Sequence, residues 1–349
     1  MRPANRRWFT KQLGRRITSE LARQIAAWLV EEFGFVVQRD DDVAEFSADW
    51  STFYAERYGD DGLTPQGGGG RVGVRRNFQV KGIGITPLVG RDADWLHQHG
   101  CVWMEEAVRE AILSEVVARE FPFGAVPVIA IIDTGLDAAF AVDSIDHRRV
   151  LLVRPSFARP AHMQRAPLFF PQDGTVFEAQ IADGRRAKQV ITHLAADPKV
   201  LVEMFLRAAQ QLAFAYVHRF YLGGMLSSNW AVDGSLVDFG GVSSVPDWSR
   251  RVITPGLPLF GSEHLSVETT IEYVVHRAKR FNSTWGEVDA STVIEQFKSC
   301  LCSATRAEFE RLRLHVQRTS AELRQSIGSK VAPFRIDATG GGKSDPPLP

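Results

Sequence analysis

The order of strand-like and helix-like segments is the feature that most constrains the fold of this chain. Between about residues 65 and 154, short β-rich stretches (RRNFQVKG, VPVIAIID and RRVLLVR) surround one helical stretch, MEEAVREAILSEVVARE. Beyond about residue 195 the pattern is helical almost throughout, beginning with DPKVLVEMFLRAAQQLAFAYVHRFY. Strands grouped in one half of a chain and helices in the other predict an α+β fold.

Length and apolar content predict a large core shared by two closely packed lobes. The chain has 349 residues, of which 44% are hydrophobic. An amphipathic stretch over residues 17–34 predicts an entry helix that ends at Gly34. We predict four regions: an N-terminal helical extension (1–45), a mixed β/α lobe (46–160), a mainly helical lobe (161–335) and a disordered tail (336–349).

Charge and cysteine content narrow the choice of partners and compartment. Lys and Arg together number 41, as do Asp and Glu, so no overall field attracts nucleic acid or an anionic membrane. We predict neither as a partner. The three cysteines, Cys101, Cys300 and Cys302, match neither a disulfide framework nor the usual zinc spacings, which favours a reduced, cytoplasmic protein.

The stretch MLSSNWAVDGSLVDFG, residues 225–240, predicts a β-hairpin. Asp233 and Gly234 form a strong signal for a two-residue turn in which both central residues have positive φ. The hairpin would bring Asn229, before its first arm, beside Asp238, after its second. An amide oxygen and a carboxylate held together suit a hard divalent cation that binds phosphates. A plain surface turn is the alternative at this stage.

The strand NFQVKG places Lys81 and Gln79 on one face and Val80 on the other. Phosphotransfer sites of the kinase type use a strand lysine that is oriented by a carboxylate from the following helix. That helix carries Glu106, Glu110 and Glu115, and we compare the last two as partners of Lys81. A helical wheel puts Glu115 near the middle of the apolar stripe, so both glutamates stay candidates for the partner of Lys81.

Two further segments carry groups that suit phosphate binding. Gly67–Gly70 lie before Arg71 and a predicted strand. Because glycine has no side chain, their backbone N–H groups can approach phosphate oxygens without obstruction. Arg154 and Arg159 follow an apolar strand, where they are able to clamp phosphates. Each feature alone has an ordinary interpretation, a flexible loop or a solvated arginine. Their order along the chain is that of a two-lobed, protein-kinase-like fold.

In order and wording, these segments resemble the selenoprotein O family of protein adenylyltransferases, whose fold is protein-kinase-like. PQGGGGR, residues 65–71, is similar to the family's P-Q-L-G-D-G-R. VKGIGITP, residues 80–87, is similar to L-K-G-A-G-x-T-P, and VREAILSE, residues 108–115, to I-R-E-x-L-x-S-E.

Two more motifs extend the resemblance over roughly residues 54–241. LVRPSFAR, residues 152–159, resembles R-V-A-P-S-x-x-R. LSSNWAVDGSLVDFG, residues 226–240, resembles N-T-D-N followed, after eight residues, by D-Y-G. The rest of the chain matches the family only in its helical character.

The resemblance implies an activity and roles for individual residues. Gly68, Gly69, Gly70 and Arg71 would belong to the nucleotide-binding loop, and Lys81, paired with Glu110, would contact the triphosphate. Arg159 would bind phosphate, while Asn229 and Asp238 would hold Mg²⁺ or Mn²⁺. In the family, ATP binds in the flipped sense relative to ordinary kinases, and AMP is transferred to a hydroxyl of a protein or peptide.

The chain departs from the family's pattern at three places. Ser228 stands where the family has an aspartate expected to be the catalytic base, and a serine hydroxyl is a poor proton acceptor near neutral pH. Leu152 stands where the first arginine of the pair is expected; Arg154, two residues on, shares its face of the strand and is able to substitute. About six residues are inserted within GRDADWLHQHG, between the lysine strand and its helix.

These departures leave two alternatives beside adenylyl transfer. One is a nucleotide-binding pseudoenzyme that has lost its base at Ser228. The other is a phosphotransferase that binds ATP in the ordinary sense and acts on a peptide or a small molecule.

Overall fold

The computed structural model describes residues 9, 12–14, 16–34, 37–40, 43–46, 51–59, 65–93, 98–139 and 146–327. Its first helix, α1 (Ser19–Phe33), begins after the cap residue Thr18, whose Oγ1 accepts a hydrogen bond from Leu21 N at 3.2 Å. The helix ends before Gly34, whose N–H donates to Val30 O at 2.7 Å. The predicted entry helix is therefore confirmed.

The strands of the N-terminal half form two antiparallel sheets. Strands β1 (Val37–Asp40) and β2 (Val43–Phe46) pair with each other. The larger sheet has five strands in the order β3-β4-β5-β7-β6, and every neighbouring pair is antiparallel. Its members are β3 (Tyr54–Arg57), β4 (Gly68–Arg75), β5 (Phe78–Lys81), β6 (Ala130–Ala139) and β7 (Asp146–Pro155).

The five-stranded sheet is apolar on one face and carries charged groups on the other. Helix α1 covers the apolar face, where Ile25 and Leu29 pack with Val80 and Val153 in one buried cluster. The register pairs Lys81 with Leu152 and Gln79 with Arg154. Since paired residues share a face, Lys81, Gln79 and Arg154 all project away from α1. Helix α2 (Met104–Glu120) packs on their side of the sheet.

The second half is mainly helical and has its own core. Its helices are α3 (Val176–Leu194), α4 (Pro198–Val217), α5 (His264–Phe281) and α6 (Ala290–Ile327), with a short ribbon of β8 (Phe220–Tyr221) and β9 (Ser243–Ser244). The buried face of α4 packs against α5 and α6 in the largest apolar cluster. The α+β class predicted from the sequence is therefore confirmed; the boundaries of the four predicted regions stay predictions.

Two features of the helical half differ from the sequence pattern. Helix α3 is not predicted by periodicity because the polar pair Asp183 and Gly184 interrupts its apolar stripe; Asp183 is nevertheless fully buried. The sequence pattern contains two separate helical stretches, ASTVIEQFKSCL and RAEFERLRLHVQRTSAELRQSI, but they form one continuous helix, α6. No glycine or proline separates these stretches, so nothing in the backbone ends the first one.

Helix α4 is the one helix among the described residues that is long and apolar enough to cross a membrane. About 61% of its apolar window is buried inside the protein. Core helices of folded domains commonly have this composition.

Candidate phosphate and metal site

The hairpin at residues 229–238 forms as predicted in its arms but not in its turn. Ala231 N donates to Ser235 O at 2.8 Å, Val237 N donates to Asn229 O at 3.0 Å, and Trp230 bridges Leu236 between them. The turn bond instead runs from Gly234 N to Ala231 O at 2.9 Å, and Gly234 has a φ of 90°.

The predicted turn type is therefore wrong. Asp233 is not among the residues with positive φ. Its Oδ1 accepts hydrogen bonds from the N–H of Ser235 at 3.0 Å and the hydroxyl of Ser235 at 2.6 Å, which stabilises a longer turn followed by a left-handed glycine. The arms keep the register that brings Asn229 and Asp238 to the same end.

A parallel contact positions this hairpin beside the sheet. Leu236 N donates to Gly124 O at 3.0 Å, and Val126 N donates to Leu236 O at 2.9 Å. The segment around Ala125 joins α2 to β6, so the hairpin is hydrogen-bonded to the chain that carries the sheet. Asp238 then projects toward β5 from a backbone with a φ of 63°, a left-handed conformation that is uncommon for a residue with a side chain.

Lys81 is the centre of the site. Its side chain is only 4% exposed, and its Nζ lies 3.2 Å from Glu106 Oε1, 3.4 Å from Asp238 Oδ1 and 3.7 Å from Glu110 Oε2. Burial lowers the pKa of Lys81, but the carboxylates of Asp238 and Glu110 outweigh burial and raise the pKa above its ordinary value. In return, Lys81 holds the pKa of Asp238 well below its usual range. Both groups are therefore charged at neutral pH.

The structure decides between the two glutamates considered for Lys81. Helix α2 buries Ala107, Glu110, Ser114 and Val117. Glu110 is 3% exposed, whereas Glu115 pairs with Arg119 at 2.5 Å on the outer side of the helix. The apolar stripe predicted around Glu115 is wrong.

Within that stripe, Ile112 is 50% exposed and Val116 is 43% exposed. The helical wheel failed because it ranks residues by hydrophobicity alone. Helix α2 instead turns Ala107 and Glu110 toward the charged face of the sheet. Ala107 is small enough for close approach, and the carboxylate of Glu110 pairs with the cations of the sheet.

A continuous network of buried polar side chains extends from Glu110 along the sheet. Arg154 Nη1 donates to Glu110 Oε1 at 2.9 Å, and Arg154 Nε donates to Gln79 Oε1. Gln79 Nε2 donates to Glu56 Oε2, which also pairs with Arg159 Nη2 at 3.2 Å. Arg154 and Arg159 are 2% and 3% exposed. Arg154 thus lies on the same face as Lys81, as the i, i+2 argument predicted.

Arg159 connects this network to the hairpin. Its Nη1 donates to Ser228 O at 2.7 Å, and its guanidinium stacks over the rings of Phe157 at 4.5 Å and Tyr58 at 4.7 Å. Burial lowers the pKa of Arg159, but Glu56, Tyr58, Asp238 and Glu110 together outweigh burial and raise the pKa. The structure therefore brings together Lys81, Glu110, Arg154, Arg159, Ser228, Asn229 and Asp238, all of which the sequence singled out.

The predicted glycine loop is wrong for three of its four glycines. Gly68, Gly69 and Gly70 lie within strand β4, where Thr86 Oγ1 donates to Gly69 O and Thr86 N donates to Gly70 O, both at 2.9 Å. A Cβ added to Gly68 would lie 2.2 Å from Glu56 O. Close approach of neighbouring backbone therefore requires this glycine. A role of Gly68–Gly70 toward phosphates stays a prediction.

Arg71 ends the glycine run and binds Glu106, a helix glutamate that was noted in the sequence but not included among the predicted site residues. Its Nη2 lies 2.7 Å from Glu106 Oε1, and its Nη1 lies 3.0 Å from Glu106 Oε2. Burial raises the pKa of Glu106, but Lys81 and Arg71 outweigh burial and lower it. Arg71 therefore acts on the site through Glu106, which also contacts Lys81.

Two other residues of the site, Glu56 and Gln79, were not among the predicted site residues. Gln79 carries a signal, since strand alternation puts it on the face of Lys81. Glu56 carries none, because it lies on a short strand that pairs with β4 around a bulge. Although burial raises the pKa of Glu56, Arg159 and His162 outweigh it and hold the pKa below its usual range.

Ser228 occupies the position of the expected base without a carboxylate. Its Oγ donates to Asn229 Oδ1 at 3.1 Å, and its carbonyl oxygen accepts from Arg159. The loop before it takes an unusual path, with positive φ at Gly223, Gly224 and Met225. The buried carboxyl group of Glu263 fixes this loop by accepting a hydrogen bond from Leu222 N at 2.7 Å. Burial raises the pKa of Glu263 to about 8.

The donor atoms at the hairpin fit a hard divalent cation. Asn229 offers an amide oxygen, and Asp238 offers a charged carboxylate that is 39% exposed. Within the described ranges, no group of three or more His, Cys, Asp and Glu side chains is arranged to hold a metal ion. A cation at Asn229 and Asp238 would therefore complete its shell with phosphate or water oxygens, as Mg²⁺ does at phosphate sites.

No protein-family model matches this chain, and no curated protein matches it.

Proposed function

We propose that this protein is an ATP-dependent nucleotidyltransferase with a two-lobed, kinase-like fold, which transfers AMP to a hydroxyl of a protein or peptide in the cytoplasm. The resemblance to the selenoprotein O family implies this reaction. The observation that carries the proposal is the convergence of Lys81, Glu110 and Asp238 with two buried arginines on one face of the sheet.

The charge balance of the site favours a polyphosphate that arrives with a metal ion. Four cationic side chains face four carboxylates, namely Lys81, Arg71, Arg154 and Arg159 against Glu56, Glu106, Glu110 and Asp238. A triphosphate would add negative charge to a site that is already balanced. Asn229 and Asp238 would hold a divalent cation, which would supply the compensating positive charge.

The arginine end of the buried network favours contact with phosphates over contact with a purine ring. Arg154 and Arg159 are almost fully buried there, held by Gln79 and Glu56. A purine ring prefers an apolar slot, and burying it against these charged groups would leave their hydrogen bonds unmade. We therefore expect the phosphates of ATP, rather than its purine ring, to lie beside Lys81 and the two arginines.

In this arrangement each residue has a defined task. Lys81, held by Glu110, neutralises charge on the phosphates, and Asp238 with Asn229 holds the cation. The acceptor hydroxyl forms a bond to the α-phosphorus, the bond to pyrophosphate breaks, and the acceptor proton passes to solvent. A base at position 228 would accelerate transfer, but a loose transition state demands little proton removal, so transfer proceeds more slowly without a carboxylate there.

Labelled ATP tests the proposal directly. Label from α-³²P ATP is expected in the acceptor or in the protein itself, and label from γ-³²P ATP is not. Asp238→Ala should abolish incorporation, whereas Asp137→Ala, which removes an exposed carboxylate on β6, should leave it unchanged. Transfer of the γ-label alone would refute AMP transfer and identify a kinase.

Ser228 favours a second candidate, a pseudoenzyme that binds ATP without transferring any part of it. Its hydroxyl donates to Asn229 and is not paired with a carboxylate among the described residues. Thermal stabilisation by ATP and Mn²⁺ without transfer of either label would favour this candidate. Ser228→Asp separates the two, since restoring a base is expected to raise transfer by about 10²-fold or more in an enzyme and to leave a pseudoenzyme silent.

A further inference from the structure

Three arginines from separate segments surround a single buried carboxylate, away from Lys81. The carboxylate is Asp183 on α3, whose side chain is 1% exposed. Arg186 comes from the same helix, Arg57 from the end of β3, and Arg165 from the segment before α3. The cluster therefore joins the edge of the sheet to the first helix of the helical half.

The oxygens of Asp183 are already occupied by two of their neighbours. Oδ1 accepts from Arg186 Nη2 at 2.8 Å and Nε at 3.1 Å, and Oδ2 accepts from Ala166 N at 3.0 Å. Arg57 Nε and Arg165 Nε lie 3.8 Å and 3.5 Å from the carboxylate, and neither forms a hydrogen bond to it. One carboxylate thus faces three cations, and it is bonded to only one of them.

Arg57 and Arg165 keep unused hydrogen-bond donors. Arg57 Nη2 donates to Ala179 O at 2.8 Å, and Arg165 Nη2 donates to Gln180 O at 3.0 Å. The Nε atoms of both arginines are buried and have no hydrogen-bond partner among the described residues. An arginine has five N–H donors, and a buried donor without a partner is unfavourable.

Both arginine side chains are partly exposed, although their Nε atoms are buried. Their side chains are 25% and 31% exposed. Arg57 lies over the ring of Phe169, 5.7 Å from its centroid, which restricts its movement. Burial lowers the pKa of Arg57; Asp183 opposes that effect, but nearby Arg186 adds to it. Among the described residues of the cluster, three arginines against one carboxylate leave an excess of positive charge, which favours an anion.

We propose that Arg57 and Arg165 form a binding site for a tetrahedral oxyanion, a phosphate group, that is separate from the site at Lys81. A phosphate has enough oxygens to accept hydrogen bonds from both guanidinium groups at once. The carboxylate of Asp183 does not, because Arg186 and the N–H of Ala166 already occupy its oxygens. The phosphate is either free in solution or carried on a phosphorylated side chain. This inference does not depend on the proposed nucleotidyl transfer.

The test is titration of the full chain with inorganic phosphate at constant ionic strength, followed by calorimetry and by thermal unfolding. Arg57→Gln and Arg165→Gln should each weaken phosphate binding at least tenfold, the effect expected for a charge-assisted hydrogen bond. Arg185→Gln is the matched control, because it removes an exposed arginine from the same helix without touching the cluster. Arg57→Lys and Arg165→Lys cover the case in which a glutamine variant does not fold.

Two further variants decide which site the phosphate occupies. In Lys81→Met, binding should persist with unchanged affinity; its loss would assign the phosphate to the nucleotide site and overturn the proposal. Two carboxylates, Asp60 and Asp61, follow Arg57 closely in sequence. If phosphate bound only after Asp60→Asn and Asp61→Asn, the chain's own carboxylates would fill the site, and the proposal would fail.

A peptide containing phosphoserine, compared with the same peptide containing serine, identifies the source of the phosphate. Binding of the phosphorylated form alone, with the same loss in the glutamine variants, supports a protein-borne phosphate. Binding of inorganic phosphate, without binding of either peptide, supports a phosphate that is free in solution. Wild-type protein that does not respond to phosphate, or responds equally well in both glutamine variants, refutes the site.

Discussion

Replacement of Glu110 by glutamine tests whether this buried carboxylate, rather than Glu115, is the partner of the cations on the sheet. Glu110 contacts Arg154 at 2.9 Å and Lys81 at 3.7 Å, and all three side chains are at most 4% exposed. Removing one charge from a buried ion pair costs about 3 to 5 kcal/mol because the other charge stays buried. The glutamine oxygen still accepts from Arg154, so we expect the lower end, a loss of about 3 kcal/mol.

The free energy of unfolding from urea titration without nucleotide is the measurement, and Glu115→Gln is the matched control. Glu115 pairs with Arg119 across one helical turn, and the two side chains are 28% and 54% exposed. Exposed pairs of this kind contribute about 0.5 kcal/mol. Equal losses in the two variants, or a loss below about 1 kcal/mol in Glu110→Gln, would refute the assignment of Glu110 as the buried partner.

Three further predictions rest on other contacts. Asp238→Asn should change stability by less than about 1 kcal/mol, because the carboxylate is 39% exposed and Lys81 keeps two other carboxylates; ATP with Mn²⁺ should no longer raise its Tm. Glu263 has a pKa of about 8 when folded, above its ordinary 4.5, so folding favours its protonated form. The contribution of this group to stability is full below pH 4.5 and is lost as the pH rises to about 8, and Glu263→Gln should flatten this part of the pH dependence in urea titrations. Gly68→Ala should cost far more stability than Gly84→Ala in the same assay, since both positions have positive φ but only Gly68 has backbone within 4 Å of the added Cβ; comparable losses would contradict the close approach to Glu56.

Local sequence determined the elements that carry the site. The helix ending at Gly34 forms where its periodicity and terminal glycine indicate, and a helix forms over the predicted helical stretch Met104–Glu120. The alternation around Val80 correctly put Lys81 on the charged face, and the chain around Asp233 turned back as its turn residues predict. Each of these properties depends on residues within one turn or one strand, which is why a single sequence contains it.

The partners across the fold were decided by the tertiary structure. Hydrophobicity alone favoured Glu115, but the sheet presents buried cations to α2, and their charge selects the face that carries Glu110. The glycines read as a loop became a strand because Thr86 and the neighbouring strand occupy their carbonyl groups and the space around them.

Glu56 lies in the site because β3 pairs with β4. The arginines around Asp183 lie close together because α3 packs beside the end of β3. Local periodicity and turn chemistry are encoded within a few residues. Pairing of charges from distant segments depends on the tertiary packing. The favoured packing leaves the fewest buried charged groups without a partner, which no local segment of the sequence determines.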